Sequence, residues 1–165
     1  MIELAGLSRR EKPLAVAQAE DGTWLVGTSV ALVLVNSPSV EPLGTPRRIP
    51  WEQVEAADWD KDSSRIRVAE VGTYGEARPA YSFEVGEPGP LLELMRERVT
   101  ASVVLQRWVP VAGKRGVRVI ARRPPGGGMI SWMHEYDPGV DPSDPAVAAL
   151  ADEALRVARS DVGQD

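Results

Sequence analysis

The chain has a single histidine, His134, in the run Trp132-Met133-His134-Glu135-Tyr136. An imidazole can move protons near neutral pH. A nucleophile–histidine–acid arrangement needs partners that no spacing around His134 supplies, and a zinc site needs further ligands. With no second histidine and no cysteine, His134 reads as a packed or solvated strand residue. Asp58, Asp60 and Asp62 follow the D-x-D-x-D spacing that opens a calcium loop. Such a loop needs Gly at its sixth position and Glu at its twelfth, where this chain has Ser63 and Ala69. The three carboxylates read as a solvated acidic turn. Gly113-Lys114-Arg115 resembles the end of a phosphate loop, but Trp108 stands where the first Gly belongs and Arg115 where Ser or Thr belongs. Gly126-Gly127-Gly128 has no helical pattern behind it and reads as a turn. The absence of cysteine excludes disulfides, thiolate metal sites and cysteine nucleophiles. The sequence therefore nominates no catalytic residue, no cofactor and no metal ligand.

Charge asymmetry gives the chain its candidate binding residues. From Arg107 to Arg123 there are six basic residues and no acid, while His134 to Asp165 holds eight acids and two arginines. Lys114, Arg115, Arg118 and Arg122 form the candidate surface for an anionic partner, with Arg118 and Arg122 on one strand face. The opposing expectation is that the acidic C-terminal segment folds back and neutralises this hairpin, since the two segments carry equal and opposite charge. Of the five tryptophans, Trp24 and Trp59 are expected in the core. Trp108 and Trp132 flank the basic strands, where packing is a commoner use than ligand stacking.

The bulk composition narrows the class. The chain of 165 residues is 43% hydrophobic, enough for a core, and its net charge of −5 gives no overall pull toward nucleic acid or anionic membrane. Fifteen glycines and 14 prolines favour a loop-rich, β-dominated protein. Arginine outnumbers lysine sixteen to three, a bias of base composition. Residues 1–12 lack the apolar core of a signal peptide. The longest apolar run, Val30 to Val35, is far short of the ~20 residues a membrane span requires. A cytoplasmic protein is expected, with no transmembrane segment and no DNA partner; peripheral membrane contact is the less favoured alternative.

These residues need elements to position them. Leu14–Ala19, Thr23–Gly27 and Ala31–Asn36 read as strands, the first two joined at Asp21-Gly22, a strong hairpin turn. Residues 37–46 and 72–79 read as loops. Arg47–Trp51 reads as a strand at an edge or bend, because Pro50 lacks a donor. Val54–Asp60, Arg65–Val71 and Ala80–Val85 follow as strands. Pro88-Gly89-Pro90 opens a helix with Leu91, Leu94, Met95, Val99 and Ser102 on one stripe. Val103–Val111, Val117–Arg123 and Met129–Tyr136 predict a three-stranded meander. A last helix starts with Asp144 as N-cap and Pro145 in its first turn. It carries Val147, Leu150, Ala151, Ala154, Ala158 and Val162 as its stripe and ends at Gly163.

The order of short strands and one closing helix, with Gly22-Thr23-Trp24-Leu25-Val26-Gly27-Thr28, Ala31-Leu32-Val33-Leu34-Val35 and Arg48-Ile49-Pro50-Trp51 leading to Asp58, resembles the bacterial PH-like and GRAM-like domains over roughly residues 12–103. The resemblance implies an antiparallel PH-like barrel or sandwich capped by a helix. The basic cluster of lipid-binding relatives is missing, because the first hairpin loop reads Glu20-Asp21-Gly22. The expected class is mainly β with α (α+β). Residues 1–103 form the PH-like barrel with its capping helix; residues 104–165 form a C-terminal meander and helix packed on the same domain.

Three functions compete. The first is a non-catalytic interaction module for an unknown protein partner or for a homodimer, whose surface the C-terminal segment could supply. The second is a binder of a lipid headgroup or nucleic acid through the basic 107–123 hairpin. The third is a small carboxylate-dependent enzyme, because paired carboxylates act through spatial rather than sequential spacing.

Overall fold

The computed structural model describes residues 7, 11–36, 46–71 and 79–163. It is mainly β with two helices. The chain divides into two compact units, Met1–Ser102 with Pro124–Gly126, and Val103–Arg123 with Gly127–Asp165.

In the first unit, β1 (Pro13–Gln18), β2 (Trp24–Thr28), β3 (Ala31–Val35) and β4 (Arg47–Pro50) form one antiparallel sheet in sequence order. Pro50 ends the edge strand β4, where its missing donor costs no ladder bond. A 3-10 turn, Trp51–Gln53, leads to a second antiparallel sheet of β5 (Val54–Asp60), β6 (Arg65–Glu70) and β7 (Ala80–Glu84). Helix α1 (Pro90–Ser102) packs on β1, β2, β5 and the 3-10 turn. Of the expected barrel or sandwich, a closed barrel does not form. The strands make two separate sheets, and among the described residues one backbone bond, Glu20 N to the Glu84 carbonyl at 2.8 Å, links β7 to the turn after β1. The expected loops over 37–45 and 72–78 lie outside the described residues.

The core between these sheets and α1 contains Leu25, Leu32, Ile49, Val54, Ile66, Val68, Leu91 and Met95. Alternation explains it: Ile66 and Val68 turn inward while Arg65 and Arg67 turn out. On α1, Leu91 and Met95 are buried, with Leu94 and Val99 packed beside them, so the expected stripe forms. The tryptophan assignment holds in part: Trp59 packs against this core, and Trp24 is not a member of it. Trp51 is the fully buried one, whereas Trp24 and Trp59 are half-buried. Trp51 belongs to the 3-10 turn rather than to the end of a strand. Its indole N–H donates to the Thr28 carbonyl at 2.9 Å, which satisfies the polar end of an otherwise apolar ring.

In the second unit, β8 (Val103–Ala112), β9 (Arg115–Arg122) and β10 (Ser131–Tyr136) form an antiparallel meander in the order β10-β9-β8. Helix α2 (Pro145–Asp161) covers one face, with Ala154 and Ala158 on Val119 and with Leu105, Val109, Trp132 and Leu155 around them. Asp144 caps α2 by accepting from Ala146 N at 2.9 Å, and Pro145 follows as the sequence predicts. Val162 is the C-cap, and Gly163 takes the left-handed conformation after it (φ 77°). Val147, Ala151, Ala154 and Ala158 are buried, but Leu150 is not: it is 40% exposed on the flank of the helix. No helix among the described residues is long and apolar enough to cross a membrane.

Candidate interaction surface

The hairpin of β8 and β9 carries the sequence-nominated residues, and the structure separates them. Lys114 and Arg115 are exposed at the turn, where Gly113 takes a positive φ. Arg115 lies over Gly139, so close that a Cβ there would sit 2.3 Å from its Nη1. Arg118 is mid-strand and half-buried, with Glu135 Oε1 of β10 3.6 Å from its Nη1. Arg122 shares the strand face of Arg118 but is only 4% exposed. It therefore does not share an accessible surface with Lys114 and Arg115. Arg107 pairs with Asp161 at the end of α2, 2.7 Å away. Acids of the C-terminal segment thus answer Arg107 and Arg118, as the charge balance anticipated.

Trp108 faces Arg118 across the ladder, on the sheet face opposite α2. Its ring packs over Gly116, where a Cβ would lie 2.8 Å from Cε2. Its indole N–H donates to Asp137 Oδ2 at 3.0 Å, and the same oxygen accepts from Gly116 N at 2.8 Å. These two bonds, the indole one first, hold the Asp137 carboxyl below the usual carboxylate range; the charge of Arg118 adds to them. Trp108 is fixed in orientation and still 43% exposed. Trp132 instead packs against the α2 core, with Arg159 6.0 Å from its ring centre.

Among the described residues, β8 is the last strand of its sheet. Gly116 directs both its N–H and its carbonyl toward Asp137, on the β10 side. Strand alternation then turns Arg118 and Ile120 the same way, so their β8 partners Trp108 and Gln106 point their own N–H and carbonyl groups outward. Pro110, opposite Gly116, falls at an outward position too, where a residue without N–H costs the ladder nothing.

Other polar groups fasten strands together. His134 Nε2 lies 3.1 Å from the Ala151 carbonyl of α2. Glu70 on β6 accepts from Arg47 of β4 at 2.5 Å and from the Tyr81 hydroxyl of β7 at 2.7 Å, linking the two sheets of the first unit. Burial first, and then the bond to Glu70, push the Tyr81 hydroxyl pKa up. Glu11 accepts from Arg48 at 2.5 Å and from the Thr28 hydroxyl. Asp60 accepts from the amides of Asp62 and Ser63, the solvated turn that the acidic spacing predicts. Among the described residues no three His, Asp or Glu side chains gather where they could hold a metal ion. The Gly126–Gly128 run leads into β10 and not into a helix.

A shallow groove of about 320 Å³ lies on the second sheet. Ala56, Ala69 and Ala80 stand in register across β5, β6 and β7, and Asp58, Arg67 and Ser82 form the next row. Three methyl side chains in a row leave the depression.

Sequence reasoning found Trp108 but missed Asp137, whose Asp-Pro-Gly context reads as the start of a linker. It also missed the exposure of Val104, Leu150 and Val157, because an apolar residue on an amphipathic element carries no mark of exposure. No family model matches this chain, and no curated protein matches it.

Proposed function

We propose that this chain is a non-catalytic, cytoplasmic interaction module that binds a protein partner or itself, with a PH-like first unit. The reading is supported by the order of the first unit, seven short antiparallel strands and then one helix, the order on which the resemblance rests. The observation that carries the function is where the reactive side chains go. His134, Glu70, Glu11 and Asp137 each bond to another part of the fold, whereas the exposed surface of β8 and α2 presents the apolar side chains Val104, Trp108, Leu150 and Val157.

The competing reading, an anionic ligand on the basic hairpin, has Lys114 and Arg115 at the tip in its favour. The two separate in a binding experiment at low salt with phosphatidylserine vesicles and with single-stranded RNA. The module reading expects no saturable binding to either. Saturable binding that weakens with salt and is lost in a Lys114→Glu/Arg118→Glu variant would replace it with the anionic-ligand reading.

A further inference from the structure

We infer that α2 is a helix released by acid: proton uptake by the carboxylates that fasten its connector and its two ends frees it from the meander, while β8, β9 and β10 stay paired. The inference goes beyond the interaction-module reading and does not rest on it.

The charges of the second unit are sorted by element. Strands β8 and β9 and the turn between them carry Arg107, Lys114, Arg115, Arg118 and Arg122 and no acid. Among the described acids after His134, only Glu135 lies in a strand; the others belong to α2 and its connector. Four of them do the fastening. Asp137 accepts from the Trp108 indole at 3.0 Å and from Gly116 N at 2.8 Å, which ties the start of the connector to β8 and β9. Asp141 accepts from Ser143 N at 2.9 Å and from its hydroxyl at 2.6 Å. Asp144 caps the first turn of α2 through Ala146 N. Asp161, in the last turn, lies 2.7 Å from Arg107 of β8.

The apolar hold on α2 is slight. Its buried stripe is Val147, Ala151, Ala154 and Ala158, and an alanine methyl removes far less surface from water than a leucine or phenylalanine side chain. Two contacts need no carboxylate: His134 Nε2 lies 3.1 Å from the Ala151 carbonyl, and Arg159 is 6.0 Å from the Trp132 ring centre. An imidazolium donates from either nitrogen, so protonating His134 keeps its contact. The opening step therefore falls to the carboxylates. The meander is held differently, by backbone ladders on both sides of its central strand β9.

Acid also reverses the sign of the attraction. At neutral pH the segment from His134 to Asp165 carries −6, eight acids against two arginines, opposite the basic hairpin. With its acids neutral and its histidine charged it carries +3, two arginines and one histidine, and attraction becomes repulsion. The charged groups that face α2 and its connector are Arg107 of β8, Arg115 and Arg118 of β9 and His134 of β10, all cationic in acid. The Ser143 hydroxyl first, and then its amide, hold the Asp141 carboxyl below the usual carboxylate range, as the indole and Gly116 hold Asp137. Such groups stabilise the fold above their unfolded value, and that stability is lost as pH falls through the lowered folded value. The release therefore lies below about pH 4.

Amide hydrogen exchange of the full chain, read as protection relative to unstructured peptide at each pH, tests the release. Between neutral pH and about pH 3, protection at Ala151, Ala154 and Ala158 should fall about tenfold or more further than at Val119 and Ile120 of β9. The dye ANS should bind over the same range, as Leu105, Val109 and Trp132 are uncovered. In Asp137→Asn/Asp141→Asn/Asp144→Asn/Asp161→Asn each asparagine keeps an acceptor oxygen and takes up no proton. Its α2 amides should change less than about threefold over this range. An α2 that stays protected down to about pH 3 overturns the inference, as does loss of protection in α2 and β9 together. A step of undiminished size in the asparagine variant overturns it as well. Should that variant fail to fold, the comparison of α2 with β9 in the unaltered chain decides alone.

Discussion

Trp108 donates its indole N–H to Asp137, 29 residues further along the chain, and Asp137 returns to the hairpin by accepting the amide of Gly116 with the same oxygen. One carboxylate thereby fixes an exposed aromatic ring and ties the residue after β10 to the start of β9.

That carboxylate makes the ring sensitive to acid. Its pKa is lowered in the folded chain, first by the indole bond and then by the Gly116 amide, while burial opposes them. A carboxyl whose folded value lies below its unfolded value contributes stability above the unfolded value, near pH ~3.9 for aspartate. That contribution is lost as pH falls through the lowered folded value. The Trp108 indole N–H resonance should be constant from neutral pH down to about pH 5 and change only below about pH 4. In Asp137→Asn, which keeps an acceptor oxygen and loses the charge, this acid transition should vanish. An indole signal that titrates near neutrality would contradict the assignment.

Gly116 is the neighbour that lets the ring lie flat. A Cβ there would sit 2.1 Å from the Val109 carbonyl oxygen and 2.8 Å from the Trp108 ring. The ring can move; the carbonyl belongs to the backbone of β8 and cannot move without opening the ladder. Gly116→Ala should destabilise the second unit by about 1–3 kcal/mol, the usual range for overpacking, and should shift the Trp108 indole resonance. An unchanged urea midpoint with an unmoved indole signal would show that β8 and Trp108 do not pack as described.

What was legible in the sequence is what local chemistry decides. Asp144 and Pro145 mark the start of α2 because a side-chain acceptor and a residue without N–H are what a helix N-terminus needs. The α1 stripe follows from periodicity alone. What escaped depends on residues distant in sequence. Arg122 was assigned to the correct strand face, yet alternation cannot say which part of a face is covered. Leu150 fits the apolar stripe of α2 by identity but lies on its flank, 40% exposed. The C-terminal meander was legible, but the division of the first unit into two sheets escaped for the same reason: strand order is readable along the chain, whereas the point at which one ladder ends and another begins depends on pairing partners. The candidate anionic surface was legible as charge and not as geometry, since Glu135 and Asp161 reach Arg118 and Arg107 only after folding.

Glu70 gives the first unit a side-chain link between its two sheets. Removing it in Glu70→Ala leaves the Tyr81 hydroxyl without its acceptor and should cost about 1–3 kcal/mol. Glu70→Gln, which retains an acceptor, should cost less. Arg47, half-exposed, contributes little through charge, within about 1 kcal/mol. The Tyr81 hydroxyl pKa is raised by burial and by Glu70. Stability from this group is therefore complete below the ordinary tyrosine value of about 10 and is lost as pH rises through the folded value. An alkaline absorbance titration compared with Tyr81→Phe isolates the group. In Glu70→Gln its midpoint should move down toward the ordinary value, and a midpoint that does not move would count against the bond.

Trp51 is the residue on which the first unit turns from one sheet to the next. It follows the last residue of β4, begins the 3-10 turn into β5, and is fully buried among residues of both sheets and α1. Two bonds fix it: its amide donates to the Val30 carbonyl at 3.1 Å and its indole to the Thr28 carbonyl at 2.9 Å. The Thr28 carbonyl ends β2 and the Val30 carbonyl lies in the β2–β3 connection, so the indole reads the position of the first sheet while its backbone starts the second. Trp51→Ala should therefore cost about 3–5 kcal/mol, as expected for truncating a buried tryptophan. Trp51→Phe should cost less but still leave the Thr28 carbonyl without its indole donor. The two losses differ in place as well as size. A cavity at Trp51 should speed amide exchange in both sheets of the first unit, whereas the missing indole donor should be felt mainly around Thr28 and Ala31. Equal protection in Trp51→Ala and the unaltered chain would mean that the junction is held by something other than this side chain.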